Sequence, residues 1–365
     1  MIIESIDLKD YRNYKDLSIV FDKGCNIIYG DNAQGKTNIL EAAYLSGTSK
    51  SHKGSRERDI INFDADEAHI RTKIKRSDRD YQIDIHLKKK GKKGIAIDRV
   101  PIKKATDLFG ILSIIFFSPE DLNIIKNGPS ERRRFIDSEL CQLDKIYLYN
   151  LVNYNKILTQ RNKLLKDIIF NPKLKETLPI WDEQLIEYGK KIIASRRKFI
   201  EEISLVVNEM HSKISGGKED LGMAYEPDVE DMFFADELIS NRERDLKFAQ
   251  TSCGPHRDDV FFSIKDIDIR KFGSQGQQRT CALSLKLSEI EMMERTIGEK
   301  PILLLDDVMS ELDSKRQNYL LDGLRDIQTI ITCTGMDDFV RNRFPINKVF
   351  EVVSGKVTEG NYTAD

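Results

Sequence analysis

The stretch Cys25–Glu41 reads CNIIYGDNAQGKTNILE, and its centre from Gly30 to Thr37 fits the pattern G-x-x-x-x-G-K-[ST]. This pattern is typical of a phosphate-binding loop, whose backbone N–H groups point inward at phosphate oxygens. Gly30 and Gly35 lack a Cβ atom, so the backbone can curl around the anion. Lys36 is predicted to reach the β- and γ-phosphates, and the Thr37 hydroxyl is predicted to ligate Mg²⁺.

The residues around the loop favour this interpretation over the alternative, a Gly-rich surface turn. Asn26–Tyr29 is a short apolar run of strand type, and Asn38–Leu45 is a good helix opening. Strand, loop and helix in this order are the context that the motif needs, and the positive end of the helix points at the same anion. The residues predicted to bind ATP here are Gly30, Asp31, Asn32, Ala33, Gln34, Gly35, Lys36, Thr37 and Asn38.

The composition indicates a soluble, highly charged protein with enough apolar residues for a core. The chain has 365 residues, which allows two to three domains of about 150 residues each. Hydrophobic residues make up 40% of the chain and charged residues 32%, above the usual quarter. A net charge of −2 excludes a globally basic, DNA-coating protein but not a local basic patch. No apolar run approaches the roughly 18 residues of a membrane span.

The N-terminus and the cysteines point to a cytoplasmic protein. Met1–Leu8 alternates like a strand and has no signal-peptide layout. The five cysteines are odd in number, widely spaced and without a C-x-x-C pair, so we interpret them as reduced packing residues. They are Cys25, Cys141, Cys253, Cys281 and Cys333.

Three strands are predicted in the first 30 residues, at Ile2–Leu8, Leu17–Phe21 and Asn26–Tyr29. The first connection contains Arg12-Asn13-Tyr14, and an aromatic ring beside an Arg near a phosphate-binding loop could stack on adenine. Arg12 and Asn13 are therefore added to the predicted ATP-binding residues. A turn with one packed Tyr explains the same sequence equally well.

Residues 70–104 alternate like strands and contain thirteen Lys or Arg against four Asp, a local balance of +9. The run Lys88–Gly94 is predicted to form the tip of a hairpin. A solvated tip is the commoner explanation for such a run. A surface that contacts DNA phosphates is the alternative. The candidate DNA-binding lysines are Lys88, Lys89, Lys90, Lys92 and Lys93.

A mainly helical region is predicted after Ser118, which caps a helix start. One helical piece covers Glu131 to about Ile169. A second piece, 180–214, has apolar residues at 3- and 4-residue steps with a single gap at Ser195-Arg196, which predicts a helix about 50 Å long. The two pieces are expected to pair as a short antiparallel arm; the alternative is a packed helical domain with no projecting arm. Arg132 and Arg133 could contact DNA phosphates or lie on a solvated face.

Further motifs follow toward the C-terminus. Pro301–Asp307 is an apolar run that ends in two acids, and a buried parallel strand beside the loop strand would bring Asp306 to Mg²⁺. Ile327–Cys333 is predicted to be another buried strand. Ser274 is a natural N-cap for a helix that runs to about Thr296, whose first N–H groups would form a second anion site.

The turn Gly254–Asp259 suggests a metal site through its His and carboxylates. His256 has no second His nearby at ligand spacing, so we favour a plain polar turn.

Three motifs in this order resemble the ATP-binding-cassette heads of SMC-type DNA-repair proteins and, within that class, the RecF family. They are a signature at Ser274–Arg279, a Walker B strand at Leu303–Asp307 and a D-loop formed by Ser310, Glu311, Leu312 and Asp313. Support comes from Tyr11–Tyr14, Phe117–Leu122, Pro129–Arg134 and Gly254–Asp259. The resemblance spans nearly the whole chain. It implies an α/β P-loop ATPase head, with a mixed sheet and helices, formed by residues 1–117 and 246–365, plus an inserted, mainly helical arm domain at 118–245.

In this family the signature of one protomer caps the γ-phosphate held by the loop of another. The resemblance therefore implies an ATP-dependent head-to-tail dimer in which Ser274, Gln275, Gly276 and Gln277 act in trans. Asp306 would be the Walker B acid and, with Thr37, a Mg²⁺ ligand. RecF-like proteins bind DNA at junctions of single and double strands and act with RecO and RecR in loading the RecA recombinase onto gaps. They also support replication recovery and the SOS response.

The sequence departs from the wider cassette pattern in three places. The catalytic position after the Walker B acid is usually Glu and is here Asp307, one methylene shorter. We therefore expect slow hydrolysis, with Asp306, Asp307 and Lys36 as catalytic residues and ATP acting mainly as a dimerisation switch. Phe117–Leu122 contains no Gln for the usual Q-loop, and no His follows Ile331, so those two roles stay open.

Two other functions are considered beside a DNA-repair ATPase. A nucleotide-gated scaffold would mainly recruit proteins, with DNA contact secondary. A transporter cassette is disfavoured by the inserted arm and the basic hairpin. Steep salt dependence of ATP-dependent DNA binding would favour the repair ATPase over the scaffold, and membrane fractionation would test the transporter.

Overall fold

The structure, a computed structural model, describes residues 1–324, 326–335 and 346–360. The chain divides into two compact units, one of Met1–Asp121 with Glu289–Asp365 and the other of Leu122–Ser288. The second unit thus extends beyond residue 245, the predicted end of the arm. The division into head and arm domains stays a prediction. Within the described ranges, no helix combines the length and apolar character needed to cross a membrane.

The described parts of the chain contain both β-strands and α-helices. The strands are β1 (Ile2–Tyr11), β2 (Tyr14–Val20), β3 (Cys25–Tyr29), β4 (Glu67–Lys75), β5 (Asp80–Lys88), β6 (Gly94–Ile97), β7 (Val100–Pro101), β8 (Ile114–Phe117), β9 (Leu221–Glu226), β10 (Asp259–Ile264), β11 (Ile267–Asp268), β12 (Ile302–Asp306), β13 (Thr329–Cys333), β14 (Ile346–Val353) and β15 (Lys356–Gly360). The α-helices are α1 (Lys36–Thr48), α2 (Glu57–Ile60), α3 (Leu122–Lys126), α4 (Pro129–Leu143), α5 (Lys145–Phe170), α6 (Leu178–Ser215), α7 (Phe234–Ser240), α8 (Arg242–Phe248), α9 (Ile269–Phe272), α10 (Gln275–Ile297) and α11 (Ser314–Gly323).

The first unit contains a sheet with the order β15-β14-β3-β13-β12-β8. Its strands run parallel except β15, which pairs antiparallel with β14. Ile27, Leu304 and Ile330 are fully buried, which explains why these strands appear as apolar runs in the sequence. The prediction that the Asp306 strand lies beside the loop strand is wrong in one respect, because β13 lies between β12 and β3.

A second, antiparallel sheet in the same unit has the order β2-β1-β4-β5-β6-β7. Strand β4 alternates exposed and buried residues along its whole length, so one face enters the core and the other meets solvent. Helix α1 packs against strands of both sheets. Residues 89–93 connect β5 to β6, which confirms the predicted hairpin tip.

The second unit is built around α5 and α6, which pack along each other and are joined by a short turn. This confirms the predicted pairing of two helical pieces. Helix α6 has 38 residues and spans about 57 Å at 1.5 Å per residue. Buried Arg161 of α5 pairs with Asp182 of α6 and Asp245 of α8, both at 2.7 Å. Strands β9, β10 and β11 form a small antiparallel sheet in this unit.

Candidate nucleotide-binding site

The loop between β3 and α1 is shaped by two glycines in backbone conformations that other residues avoid. Gly30 has a φ of 149° and Gly35 a φ of 114°. A Cβ atom on Gly30 would lie 2.3 Å from the carbonyl oxygen of Val352, and one on Gly35 would lie 2.4 Å from Asn13 Nδ2. Both positions therefore require glycine for steric reasons, in addition to the access that glycine gives to a ligand.

Lys36 Nζ lies inside the curl of this loop. It donates hydrogen bonds to the carbonyl oxygens of Gly30 at 2.6 Å and Asp31 at 2.9 Å. The ammonium thus lies close to the N-terminal end of α1, where the helix dipole adds further positive potential. A phosphate group is the kind of ligand that this arrangement fits.

Three side-chain oxygens meet beside the loop. Thr37 Oγ1 donates a hydrogen bond to Asp306 Oδ1 at 2.8 Å, and Thr332 Oγ1 donates to the same oxygen at 2.7 Å. They come together because β3, β13 and β12 are consecutive parallel strands that end at the same edge. Hydroxyl and carboxylate oxygens are the ligands that Mg²⁺ prefers, so this group of oxygens fits a magnesium ion next to bound phosphates.

Asp307 follows in a left-handed backbone conformation, with a φ of 57°. Asp adopts this conformation more readily than most residues. Its N–H donates to Thr332 Oγ1 at 3.1 Å and to the Thr332 carbonyl oxygen at 3.2 Å. Its own carbonyl oxygen accepts a hydrogen bond from Ser310 Oγ at 2.9 Å. The backbone of the predicted catalytic residue is therefore held from both sides.

The predicted D-loop, Ser310–Asp313, links Asp307 to helix α11. A 3₁₀ turn covers Val308–Glu311. Asp313 caps α11, and its Oδ1 accepts a hydrogen bond from the Arg316 N–H at 3.0 Å. That hydrogen bond lowers the pKa of Asp313. The capping carboxylate is therefore negatively charged at neutral pH and interacts favourably with the positive end of the helix dipole.

Asn13 and Tyr14 support the loop. Asn13 Nδ2 donates to the Gln34 carbonyl oxygen at 2.9 Å, and its Oδ1 accepts from Asn38 Nδ2 at 2.8 Å. The Tyr14 hydroxyl donates to the Gly35 carbonyl oxygen at 3.0 Å. Because the Tyr14 ring is fully buried, this residue is the packed Tyr of a turn and is not open to stack on adenine.

Arg12 forms an ion pair with Glu41 of helix α1. Its guanidinium makes two hydrogen bonds of 2.9 Å to the Glu41 carboxylate. The same carboxylate accepts a bond from the Tyr11 hydroxyl at 3.3 Å. The predicted contact of Arg12 with ATP stays a prediction, and the observed role is to neutralise buried Glu41 on helix α1.

The predicted trans signature lies at the start of α10. Ser274 Oγ accepts from the Gln277 N–H at 3.2 Å, while Gln277 Oε1 accepts from the Ser274 N–H at 2.9 Å. This reciprocal pair is a capping box, so the predicted N-cap is confirmed. Gln277 Nε2 also donates to Glu219 at 2.9 Å. Ser274 and Gln275 are exposed, which leaves this helix terminus open to solvent.

The candidate DNA-binding lysines differ in their surroundings. Lys90 and Lys92 are exposed at the hairpin tip. The ammonium groups of the other three lysines contact neighbouring residues of the first unit. Lys88 pairs with Glu67 at 3.5 Å, and Lys89 donates a hydrogen bond to the Phe63 carbonyl oxygen at 3.0 Å. Lys93 donates to the Ser49 carbonyl oxygen at 2.6 Å and pairs with Glu57 at 2.7 Å. The tip therefore offers Lys90 and Lys92 most directly to a ligand.

Arg132 does not lie on a solvated face, which was one of the two interpretations of its position. Its side chain is 3% exposed and binds the Asp259 carboxylate through two hydrogen bonds, of 2.5 and 3.0 Å. Breaking such a buried pair leaves an uncompensated charge, which is costly. A contact between Arg132 and DNA would require this pair to open. Arg133 is less buried and donates to the Asp258 carbonyl oxygen at 2.7 Å.

Thr332 and Glu41 are parts of the site that were not predicted from the sequence. Thr332 lies near the carboxyl end of an apolar parallel strand, where polar residues often face a ligand. Glu41 is a buried acid among apolar residues of α1, and a lone acid on such a helix face is a detectable signal because it needs a partner.

The chain is similar to known proteins in both sequence and structure. Residues 2–356 match the family model described as RecF/RecN/SMC N terminal domain. The chain is 64% identical over 357 residues to the DNA replication and repair protein RecF of Agathobacter rectalis. This alignment covers 98% of the chain and 99% of that protein. A solved structure of the recombination mediator protein RecF-ATP in the RecFOR pathway has a TM-score of 0.92 at 36% identity, covering 98% of this chain and 97% of that one.

The SmcHead bound to the C-winged helix domain of ScpA is a more distant match. Its crystal structure has a TM-score of 0.57 at 18% identity and covers 98% of this chain and 97% of that one. At this identity the likeness concerns the fold alone. Together with the family match, it confirms the predicted α/β ATPase head of the SMC class.

Proposed function

The chain belongs to the RecF family of RecF/RecN/SMC proteins, and on that premise we propose that it is an ATP-dependent DNA-binding protein of recombinational DNA repair. The observation that carries the proposal is the meeting of Thr37, Asp306 and Thr332 oxygens beside a loop that encloses Lys36. A magnesium-bound triphosphate fits this site, because the oxygens suit the ion and the loop suits the phosphates. The match to a RecF solved with ATP supports the same ligand.

Lys36 would contact the β- and γ-phosphates, and Thr37 and Asp306 would hold Mg²⁺. The bound ion would neutralise charge that develops on the phosphate oxygens. Asp307 would orient or deprotonate the attacking water. Its side chain is one methylene shorter than the usual Glu, so we propose a weak ATPase that yields ADP and phosphate slowly. ATP would act mainly as a dimerisation switch, and hydrolysis would drive release from DNA.

The dimer would be head to tail. The exposed, capped terminus of α10 presents Ser274 and Gln275 to solvent, and the first turn of a helix suits an anion. This terminus, with Gly276 and Gln277, would contact the γ-phosphate held by the loop of a second copy. The D-loop would lie at the same interface, where the backbone contact between Ser310 and Asp307 would link it to the catalytic position.

The closed dimer would bind double-stranded DNA and junctions of single and double strands. Lys90 and Lys92 at the hairpin tip are the strongest candidate phosphate contacts, because both are exposed and the ammonium groups of the other three lysines contact neighbouring carboxylates or carbonyl oxygens. The relative from the RecFOR pathway supports RecO- and RecR-type proteins as partners. With them the protein would help to load a recombinase onto gaps and would support replication recovery and the SOS response.

Sizing by light scattering, with and without ATP and Mg²⁺, tests the proposed dimer. Lys36→Met and Ser274→Arg should each prevent the ATP-dependent doubling of mass. Lys15→Met and Ser240→Arg are matched controls at exposed positions and should dimerise like the parent. Dimerisation of both test variants at parental level would disprove the trans arrangement.

Binding of duplex DNA over a salt series separates the repair ATPase from the alternative scaffold. A protein that neutralises phosphates loses affinity steeply as salt rises. ATP-dependent binding with such a slope supports DNA as the direct ligand. Weak binding with a shallow slope would favour a nucleotide-gated scaffold that recruits proteins.

A further inference from the structure

Among the residues that the structure describes, one group of His and acidic side chains has the spacing of metal ligands: Glu67, His69 and His86. One ligand atom of each lies within 4.8 Å of the others. The group is on the antiparallel sheet and shares no residue with the candidate nucleotide site. We propose that these three side chains form a binding site for a divalent zinc-type cation.

The register of the sheet explains why the three side chains converge. Glu67 and His69 are two residues apart on β4, so they point to the same face, and both are exposed. His86 on β5 lies directly opposite His69 in the antiparallel ladder. The site is thus built on two neighbouring strands inside a six-stranded sheet, which holds the three backbone positions firmly.

The side chains are already close to a coordinating arrangement. The His69 and His86 rings stack with centroids 4.1 Å apart and planes 20° apart. His86 Nε2 lies 2.7 Å from Glu67 Oε2. Bonds of about 2.0–2.1 Å to a tetrahedral ion require donors roughly 3.3–3.5 Å apart. Rotation of the two rings about χ2, a soft torsion, can bring the donors to this spacing without moving the strands.

The ligand set selects the class of ion. Two imidazoles and one carboxylate form a three-ligand zinc set that leaves a fourth position for water. Imidazole also suits copper and nickel, whereas Mg²⁺ and Ca²⁺ prefer oxygen ligands throughout. The site should therefore discriminate against the ion expected beside Thr37 and Asp306.

Two lysines oppose the proposed ion. Lys88 Nζ lies 3.5 Å from Glu67 Oε1, and Lys9 of β1 is the residue paired with His69 on its other side. Their positive charges repel a divalent cation, and Lys88 competes with the ion for the negative charge of Glu67. Replacing Lys88 should therefore strengthen metal binding, which a simple Glu67–His86 contact without metal would not predict.

Calorimetric titration of the full-length chain with ZnCl₂ tests the site. The parent should bind one Zn²⁺ that is lost in the double variant His69→Ala/His86→Ala and in the single variant His86→Gln. His52→Gln is the matched control, because His52 belongs to the same unit but lies outside the cluster, and it should keep the parental binding. Lys88→Ala should bind Zn²⁺ several-fold more tightly.

Any Zn²⁺ bound at the oxygens of Thr37 and Asp306 would remain in the double variant, so the difference between parent and double variant reports the cluster alone. Absence of Zn²⁺ binding by the parent would overturn the proposal. Equal stoichiometry in the parent and the double variant would overturn it as well.

Discussion

Thr332 Oγ1 donates a hydrogen bond to Asp306 Oδ1 at 2.7 Å, and the same hydroxyl accepts the N–H of Asp307 at 3.1 Å. One side chain on β13 thus holds the carboxylate of Asp306, the last residue of β12, and the backbone of Asp307, which follows it. It can do so because β13 lies between β12 and the loop strand β3. Thr332 is therefore a positioning residue for the proposed magnesium site.

Thr332→Val, which keeps the shape but removes the hydroxyl, should slow ATP turnover roughly ten- to a hundredfold, since a hydrogen bond to a charged group contributes about 1.5–3 kcal/mol. Thr332→Ser keeps the hydroxyl and should stay close to the parent. Steady-state turnover over a Mg²⁺ series is the measurement. A purely structural role would lower stability in both variants without changing the Mg²⁺ dependence.

Asp307→Asn should lower turnover by roughly a hundredfold, because a general base typically contributes 10²–10⁴. Asn also tolerates the left-handed backbone conformation of this position, so the fold should be kept. ATP-dependent dimerisation should persist in this variant, as measured by light scattering. Unchanged turnover would remove Asp307 from the catalytic residues.

Lys90→Glu/Lys92→Glu should weaken duplex DNA binding and reduce the slope of log affinity against log salt by about two, one for each lost phosphate contact. Lys15→Glu/Lys23→Glu reverses two exposed lysines elsewhere in the same unit and serves as the control. Fluorescence anisotropy with labelled duplex at several salt concentrations gives both quantities. If the two double variants bind equally, the hairpin tip is only solvated.

Arg161→Met should destabilise the second unit by about 3–5 kcal/mol, because it leaves buried Asp245 without its ion-pair partner, whereas Asp182 keeps Arg242 at 2.6 Å. Arg161 is fully buried, and its bonds to Asp182 and Asp245 are both 2.7 Å long. Arg134→Met removes an arginine that is 61% exposed and should change stability by no more than about 0.5 kcal/mol. Denaturant unfolding followed by helical circular dichroism measures both; equal midpoints would contradict the prediction.

His256 should make the protein less stable as the pH falls below about 6.5. Its Nδ1 is hydrogen-bonded with the Tyr154 hydroxyl at 2.8 Å, and burial lowers its pKa to about 4. Because the unfolded chain binds this proton near pH 6.5 and the folded chain does not, stability is full above that pH and is lost toward pH 4. The nearby charges of Arg257 and Arg133 lower the pKa, whereas that of Asp228 raises it.

His256→Gln removes this titration while a side chain with hydrogen-bonding groups remains. Its unfolding free energy should therefore decline less steeply between pH 6.5 and pH 4 than that of the parent, by at most about 1.4 kcal/mol per pH unit. Ser240→Ala, which changes an exposed residue that has no ionisable group, is the control and should follow the parental curve. Parallel curves for His256→Gln and the parent would show that His256 is not the titrating group.

The sequence predicted what depends on local pattern. The loop, its flanking strand and helix, the Ser274 cap and helix α6 each have a signal in residue type or spacing. Strand order has no such signal, because parallel strands are brought together by long connections. The position of β13 between β3 and β12, and with it the role of Thr332, could not be read in advance.

Buried arginines also limited how well the buried face of a helix could be predicted from the sequence. The apolar steps of the long helix had a gap at Ser195-Arg196, yet Arg196 is 2% exposed and continues the buried face through its bonds to Asp137 and Asp258, both at 2.8 Å. A periodicity rule counts such an Arg as polar and places it outside. Only the partner carboxylates, distant in sequence, reveal that it lies inside.

Strand β3 is held on one side by β13 and on the other by β14, and its first pairing joins Cys25 to Thr329. On the ribosome, a nascent chain therefore carries the loop motif long before either neighbouring strand has been synthesised. Asn13 and Tyr14 can hold the Gly35 end of the loop early, but the carbonyl oxygen that encloses Gly30 belongs to Val352 of β14. We therefore expect a chain released before β14 is made to lack the wall that fixes the first glycine of the loop.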